Sequence, residues 1–248
     1  MDTQVDRQIL PGGVIKEGKL YDLVFLREMT GVEEDVMTDR KISVGRRMNL
    51  VMSHCITSLE SADGEKIDGI LDQNGMLEAV QDMTVGDRVV LMLLIRKASL
   101  GPIFPMRVNC PECGEPGNYE VNLDDLEIKA LPNKMVREYT VELPSGSKAK
   151  LKIMTGREEG LLTAKRNDQD FLSHAIGLRL VEIDGAPVKN VQQVKALSLK
   201  DRNKLRSAFE EHEGGVNTDV DITCDKCGRD STVILDIAQK DFFFPSAT

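Results

Sequence analysis

Two short motifs, Cys110-Pro111-Glu112-Cys113-Gly114 and Cys224-Asp225-Lys226-Cys227-Gly228, set the terms on which this chain can fold. Each is a CxxCG knuckle. Together they offer four thiolates, the number that closes a tetrahedral structural zinc site, and the glycine after each second cysteine permits the tight turn that aims both sulfurs inward. We therefore expect one zinc per chain on Cys110, Cys113, Cys224 and Cys227. The difficulty is distance: about 110 residues separate Cys113 from Cys224. An ordinary zinc ribbon has roughly 15–20.

An internal repeat accounts for the gap. Met29-Thr30-Gly31-Val32-Glu33-Glu34 recurs as Met154-Thr155-Gly156-Arg157-Glu158-Glu159, and Ser53-His54-Cys55-Ile56 as Ser173-His174-Ala175-Ile176. Ile67-Asp68-Gly69 returns as Ile183-Asp184-Gly185 and Asp87-Arg88 as Asp201-Arg202, after which the two knuckles fall in register. Leu10-Pro11-Gly12-Gly13 opens the first copy as Leu143-Pro144-Ser145-Gly146 opens the second. Several matches in one order point to a tandem duplication. The expected fold is α+β: a β-hairpin, a helical middle and a zinc-knuckle hairpin, repeated as two pseudo-symmetric copies that share one four-cysteine zinc site across a pseudo-twofold axis. Residues 1–9 are expected to be a flexible N-terminal arm, residues 10–132 the first copy and residues 133–248 the second, joined near residues 130–136.

Within each copy a strand runs into Thr-Gly-x-Glu-Glu, the pattern in which threonine caps a helix and the third helical residue answers it. Helices are expected near Thr30 and Thr155, with the paired glutamates used for capping and solvation. A second helix carries Leu50, Val51, Cys55 and Leu59 in one copy and Phe171, Leu172, Ala175, Ile176 and Leu180 in the other. His54 and His174 lie on it with no neighbouring nucleophile, so packing or a side-chain hydrogen bond is the reading for both; His212, among glutamates, reads as solvated. Each Asp-Gly is expected to turn the chain, and Thr84 and Ser198 to cap a third helix. Val89–Ile95 is almost wholly apolar, so its helix is more buried than the sister helix or is covered by a partner. Cys55 aligns with Ala175 and reads as a small buried site. Phe242, Phe243 and Phe244 suit either ordinary packing or docking to another subunit.

Charge narrows the function. The net charge is −9, and the excess lies in residues 1–132, with 14 Lys and Arg against 23 Asp and Glu; residues 133–248 carry 18 of each. Such a surface repels phosphate backbones and argues against nucleic acid as a main partner. No run approaches the length of a membrane span, since the greasy Val89–Ile95 segment stops at Arg96-Lys97. A closed four-thiolate site leaves no position for a catalytic water, and the motifs of zinc peptidases, serine hydrolases, P-loops and dinucleotide folds are absent from the sequence. The expectation is a protein without enzymatic activity, small-molecule substrate or membrane partner. Two rival readings are a zinc-ribbon adaptor binding nucleic acid or transcription machinery and, more weakly, a thiol–disulfide enzyme.

The order of these motifs resembles the baseplate and baseplate-hub assembly proteins of T-even-like contractile phage tails and related contractile injection systems. Its sharper parts are Leu143-Pro144-Ser145-Gly146, Glu158-Glu159, Cys224, Cys227 and Phe243-Phe244-Pro245-Ser246. The resemblance implies a structural or assembly protein whose partners are other baseplate, hub or tail proteins. It also implies a location in the host cytoplasm during assembly, and leaves two roles: a permanent component incorporated in the particle, or a chaperone that departs.

Overall fold

The computed structural model describes residues 5–237 and 242–244. The chain begins with strands β1 (Val5–Lys16) and β2 (Lys19–Leu26), helices α1 (Gly31–Thr38) and α2 (Val44–Cys55), and strands β3 (Ile56–Ser61) and β4 (Lys66–Asp68). Helices α3 (Gln73–Asp82) and α4 (Val85–Leu100) then lead to the hairpin β5 (Ile103–Asn109) and β6 (Pro116–Asn122), and to the short β7 (Ile128–Lys129). The second half runs β8 (Glu138–Glu142), β9 (Lys148–Lys152), α5 (Gly156–Thr163), α6 (Phe171–Gly177), β10 (Leu180–Ile183), β11 (Ala186–Pro187), α7 (Val191–Lys195) and α8 (Leu199–His212). It ends with β12 (Gly215–Val216) and the hairpin β13 (Asp219–Thr223) and β14 (Asp230–Ile234). This is a mixed α/β fold, with eight helices among the described residues.

Each half builds a four-stranded antiparallel meander, β1-β2-β3-β4 and β8-β9-β10-β11. Alternation drives the strands: in β9, Ala149 and Leu151 are buried while the intervening lysines are not. Corresponding hydrogen bonds recur. Thr30 and Thr155 both close capping boxes, with Glu33 and Glu158. The backbone N–H of Gly12 donates to Asp87 (2.6 Å) and that of Ser145 to Asp201 (3.0 Å). Arg88 donates to the Val80 carbonyl and Arg202 to the Val194 carbonyl, both at 3.1 Å.

Several expectations need correction. Strand β1 already includes Val5, inside the stretch expected as an arm, while residues 1–4 lie outside the described residues. Leu10-Pro11-Gly12-Gly13 lies in an irregular stretch of β1, which turns at Glu17-Gly18 into the returning strand β2. Leu59 and Leu180 belong to strands rather than to the second helix, because the chain passes from α2 straight into β3 at Ile56. Both expected Asp-Gly turns are present, but at different places: Asp184-Gly185 joins β10 to β11, as Asp63-Gly64 joins β3 to β4, whereas Asp68-Gly69 turns the chain from β4 toward α3. Glu33 caps its helix but is wholly buried rather than solvated. His212 is not merely solvated either, since its ring stacks on Tyr139 at 4.1 Å.

The hydrophobic core divides differently from the sequence copies. One cluster takes the first sheet, α2, α3, α4 and both knuckle hairpins, including Ile222, Val233 and Leu235; a smaller one holds Val141, Leu151, Ile176, Leu205 and Phe209. Helix α4 supplies Val90, Leu91, Leu93, Leu94 and Ile95 to the larger cluster, so its apolar run is covered by this chain itself. Phe242 and Phe243 are buried there too, with Phe242 5.3 Å from Phe104. They are thus used up in packing, which corrects the docking role allowed to them; Phe244 is partly buried, and Pro245-Ser246 lies outside the described residues. Across the seam between the halves, Val85 N–H bonds the Met154 carbonyl and Gly156 N–H the Met83 carbonyl, both at 3.0 Å. Arg88 pairs with Glu159 at 2.7 Å. Gly86 is required at this seam, because a Cβ there would stand 2.1 Å from the Gly214 carbonyl oxygen.

The Glu33 cap carries a pH signature. Burial alone would raise its carboxyl, but the two-pronged bond from Arg27 and the bonds from Thr30 outweigh it and hold the value at about 2. A carboxyl depressed in the folded state contributes stability above its unfolded value and loses it as pH falls through the folded one. Stability to urea is therefore expected to decline between about pH 4.5 and 2. Glu33→Gln should be less stable at neutral pH and show a flatter decline over that window.

Candidate metal centre

The knuckles sit at the tips of the β5–β6 and β13–β14 hairpins. In each, the glycine adopts positive φ, 76° at Gly114 and 69° at Gly228. Its N–H donates to the carbonyl of the first cysteine, at 2.9 Å to Cys110 and 2.8 Å to Cys224. The N–H of Glu112 and of Lys226 points at the first sulfur of its own knuckle, both at 3.4 Å. Such N–H groups favour thiolate over thiol.

The two hairpins meet tip to tip. Cys110 Sγ lies 3.9 Å from Cys227 Sγ, and Cys113 Sγ 3.8 Å from Cys224 Sγ. All four sulfurs fall within 4.8 Å of one another. These separations are far beyond a disulfide's, about 2.05 Å, and all five cysteines are free thiols. A metal at about 2.3 Å from each of four tetrahedral sulfurs would set them about 3.8 Å apart, so the cluster fits a metal ion. Cys110 and Cys224 are buried while Cys113 and Cys227 are exposed.

Electrostatics at the cluster agree with a cation. The Cys227 and Lys226 N–H groups hold the Cys224 thiol down at about 6. At Cys113 the Glu115 N–H favours the thiolate, but desolvation and the three neighbouring sulfurs outweigh it and push the thiol up to about 12. Four sulfurs this close cannot all ionise without a positive charge between them. Arg229 and Glu112 pair across the knuckles at 2.8 Å. That contact was not foreseen, since nothing in either motif specifies the other's flank.

The sulfur pairing is reciprocal: exchanging the knuckles turns one pair into the other. The bodies behind them are not. Helix α4 packs on α5, whereas α8 and α1, which the expected twofold would bring together, are not among the principal packed pairs. Behind the knuckles, the packing of these helices thus does not follow the expected pseudo-twofold axis. The histidines stand apart from the sulfurs and each meets a carboxylate, His54 with Glu33 at 3.4 Å and His174 with Asp170 at 3.3 Å. Asp168 joins Asp170 and His174 in a second oxygen–nitrogen group, but Lys195 already neutralises Asp170 at 2.9 Å. Cys55 is fully buried, and burial pushes its thiol up to about 12, as a small core site requires.

Residues 29–138 match the family model described as T4 bacteriophage base plate protein. The chain is similar to phage base plate proteins. The matched segment runs from just before the Thr30 cap through Cys110 and Cys113 to the first residue of β8, which is less than half of the chain. The resemblance read from the motifs is thus borne out, although its sharper motifs lie in the second half, beyond the match. No curated protein and no solved structure matches the chain. Among the described residues, no helix is long and apolar enough to cross a membrane.

Proposed function

We propose that this chain is a non-enzymatic structural or assembly protein of a contractile-tail base plate or hub, in which one zinc on Cys110, Cys113, Cys224 and Cys227 pins two duplicated halves together. The observation that carries the reading is the base plate match, which ends beyond the first knuckle. The zinc assignment rests on four thiols at tetrahedral spacing. Thiolate ligands favour zinc over magnesium or calcium, and a filled set of four serves a structural role. Duplication, with copies at 10–132 and 133–248, is supported by the shared order of elements and by the paired Gly12–Asp87 and Ser145–Asp201 bonds.

In this reading the chain acts in the host cytoplasm during assembly, meets other base plate, hub or tail proteins, and either enters the particle as a component or leaves it after assembly. Quantitative mass spectrometry of purified mature particles and of base plate intermediates tests it. The chain is expected at fixed stoichiometry in one or both, and its absence from both sinks the proposal.

A further inference from the structure

A groove of about 470 Å³ opens between the end of α1 and the start of α2. Met37, Met48, Met92 and Phe244 line it with apolar surface, and Arg40 and Arg47 stand at its rim. The methionines and Phe244 rest on the main core, so the lining is continuous with the rigid interior. Methionine side chains re-pack readily around an inserted apolar group.

The charge around the groove is opposite to that of its surroundings. The first half is acidic by 23 to 14, yet Arg40, Lys41, Arg46 and Arg47 crowd into eight residues. Arg47 is tied to the Met37 carbonyl at 2.6 Å. Arg40, Lys41 and Arg46 are exposed and, among the described residues, none has a carboxylate within ion-pair distance. Two of these cations lie near the start of α2, which has no acidic residue in its first turn and no side-chain bond from its cap residue, Ser43. Cations there oppose the helix dipole. Among the described residues, the chain therefore presents an apolar groove with Arg40 and Arg47 at its edge and two further cations without ion pairs, Lys41 and Arg46, beside them in the chain.

We propose that this groove docks an acidic amphipathic helix from another base plate protein, its apolar residues entering between the methionines and its flanking carboxylates meeting Arg40, Lys41 and Arg46. A groove of this size takes a few side chains of one helix face, the pattern of helix-in-groove recognition. A second copy of this chain fits less well: its exposed Leu161 shares α5 with Glu158 and Glu159, but those carboxylates are already paired with Lys152 and Arg88. The inference rests on the base plate reading only for the source of the helix.

The test uses the full chain and three fluorescent synthetic peptides. One is an amphipathic helix with leucines on one face and glutamates flanking it, one has lysine for every glutamate, and one scrambles the acidic sequence. Anisotropy titration should show the acidic amphipath binding roughly tenfold more tightly than either control, with affinity falling as salt rises. Arg40→Glu combined with Arg46→Glu should abolish that preference while leaving metal content unchanged and without lowering the unfolding midpoint, since a glutamate in the first turn of α2 favours its dipole. Equal binding of all three peptides, or binding indifferent to the two substitutions, overturns the proposal. So does a concentration-dependent dimer in sedimentation that the same substitutions dissolve, which would make a second copy the occupant. Failure here leaves the particle assay untouched, and absence from particles leaves the peptide preference intact, so the two readings fail separately.

Discussion

Cys224→Ser is expected to release the metal and to unfold both knuckle hairpins. Protein purified without added zinc should carry one zinc per chain by elemental mass spectrometry, and the variant none. Cys224 is buried beneath the tips, accepts two N–H groups and has the lowered thiol, so it is the ligand whose loss the cluster can least replace. Its removal strands three sulfurs that crowd one another once the cation is gone. In isolated zinc fingers the metal contributes about 10–16 kcal/mol. The loss here should be smaller but still several kcal/mol, because two apolar clusters remain to hold the sheets and helices behind the knuckles. Hydrogen exchange locates the effect: β5–β6 and β13–β14 should lose protection, and the larger core should loosen where Ile222, Val233 and Leu235 enter it. Unsubstituted protein with no metal and two knuckle disulfides, and a variant with unchanged protection, would instead mean that the knuckles work as a redox pair.

What the sequence disclosed and what it hid follow the range of the interactions. Capping at Thr30, Thr155 and Thr84 was legible because each box closes within four residues. The knuckles were legible because thiolate pairs at this spacing have few uses, and their meeting required only that some fold close the gap. Strand β3 was not, since Cys55-Ile56-Thr57 continues an apolar helical spacing with no glycine or proline to mark the change of period; at β10 the mark was present, in Gly177 at the end of α6, but Leu180 still fell at helical spacing from Ile176. Asp68-Gly69 does turn the chain, with the Asp68 side chain accepting the N–H groups of Ile70 and Leu71, but into α3 and not between two strands, a difference that no residue of the pair encodes. The hidden features with the largest consequences are the long-range ones: the unequal packing of the halves, the burial of Phe242 against Phe104, and the position of Arg137. No local pattern encodes which body a side chain will meet.

Asp87→Ala is expected to destabilise the chain by about 3–5 kcal/mol, the range for removing one partner from a buried charged network. Asp87 is fully buried and accepts the Gly12 N–H at 2.6 Å, the Thr84 hydroxyl at 2.7 Å and the Thr84 N–H at 3.2 Å. It thus caps α4 and ties down the irregular stretch of β1 with one carboxylate. Burial pushes its carboxyl upward, against these donors and the charge of Arg137. Arg137 comes from the second half and donates to the Gly12 and Gly13 carbonyls at 3.0 and 2.8 Å, so the same residues also hold the seam. Alanine would leave three donors unanswered and the Arg137 guanidinium without its nearest counter-charge. Asparagine should rescue little, because its amide must turn an N–H toward either Gly12 or Thr84, both of which donate. The expected signature is a lower urea midpoint together with faster exchange at Val85 and Gly156, whose N–H groups bridge the seam. Asp201→Ala, which removes the corresponding cap in the second half, should leave those two amides protected, because among the described residues no guanidinium from the other half acts on that carboxylate. Equal loss of protection in both variants would mean that the seam depends on helix capping in general and not on the Asp87–Arg137 junction.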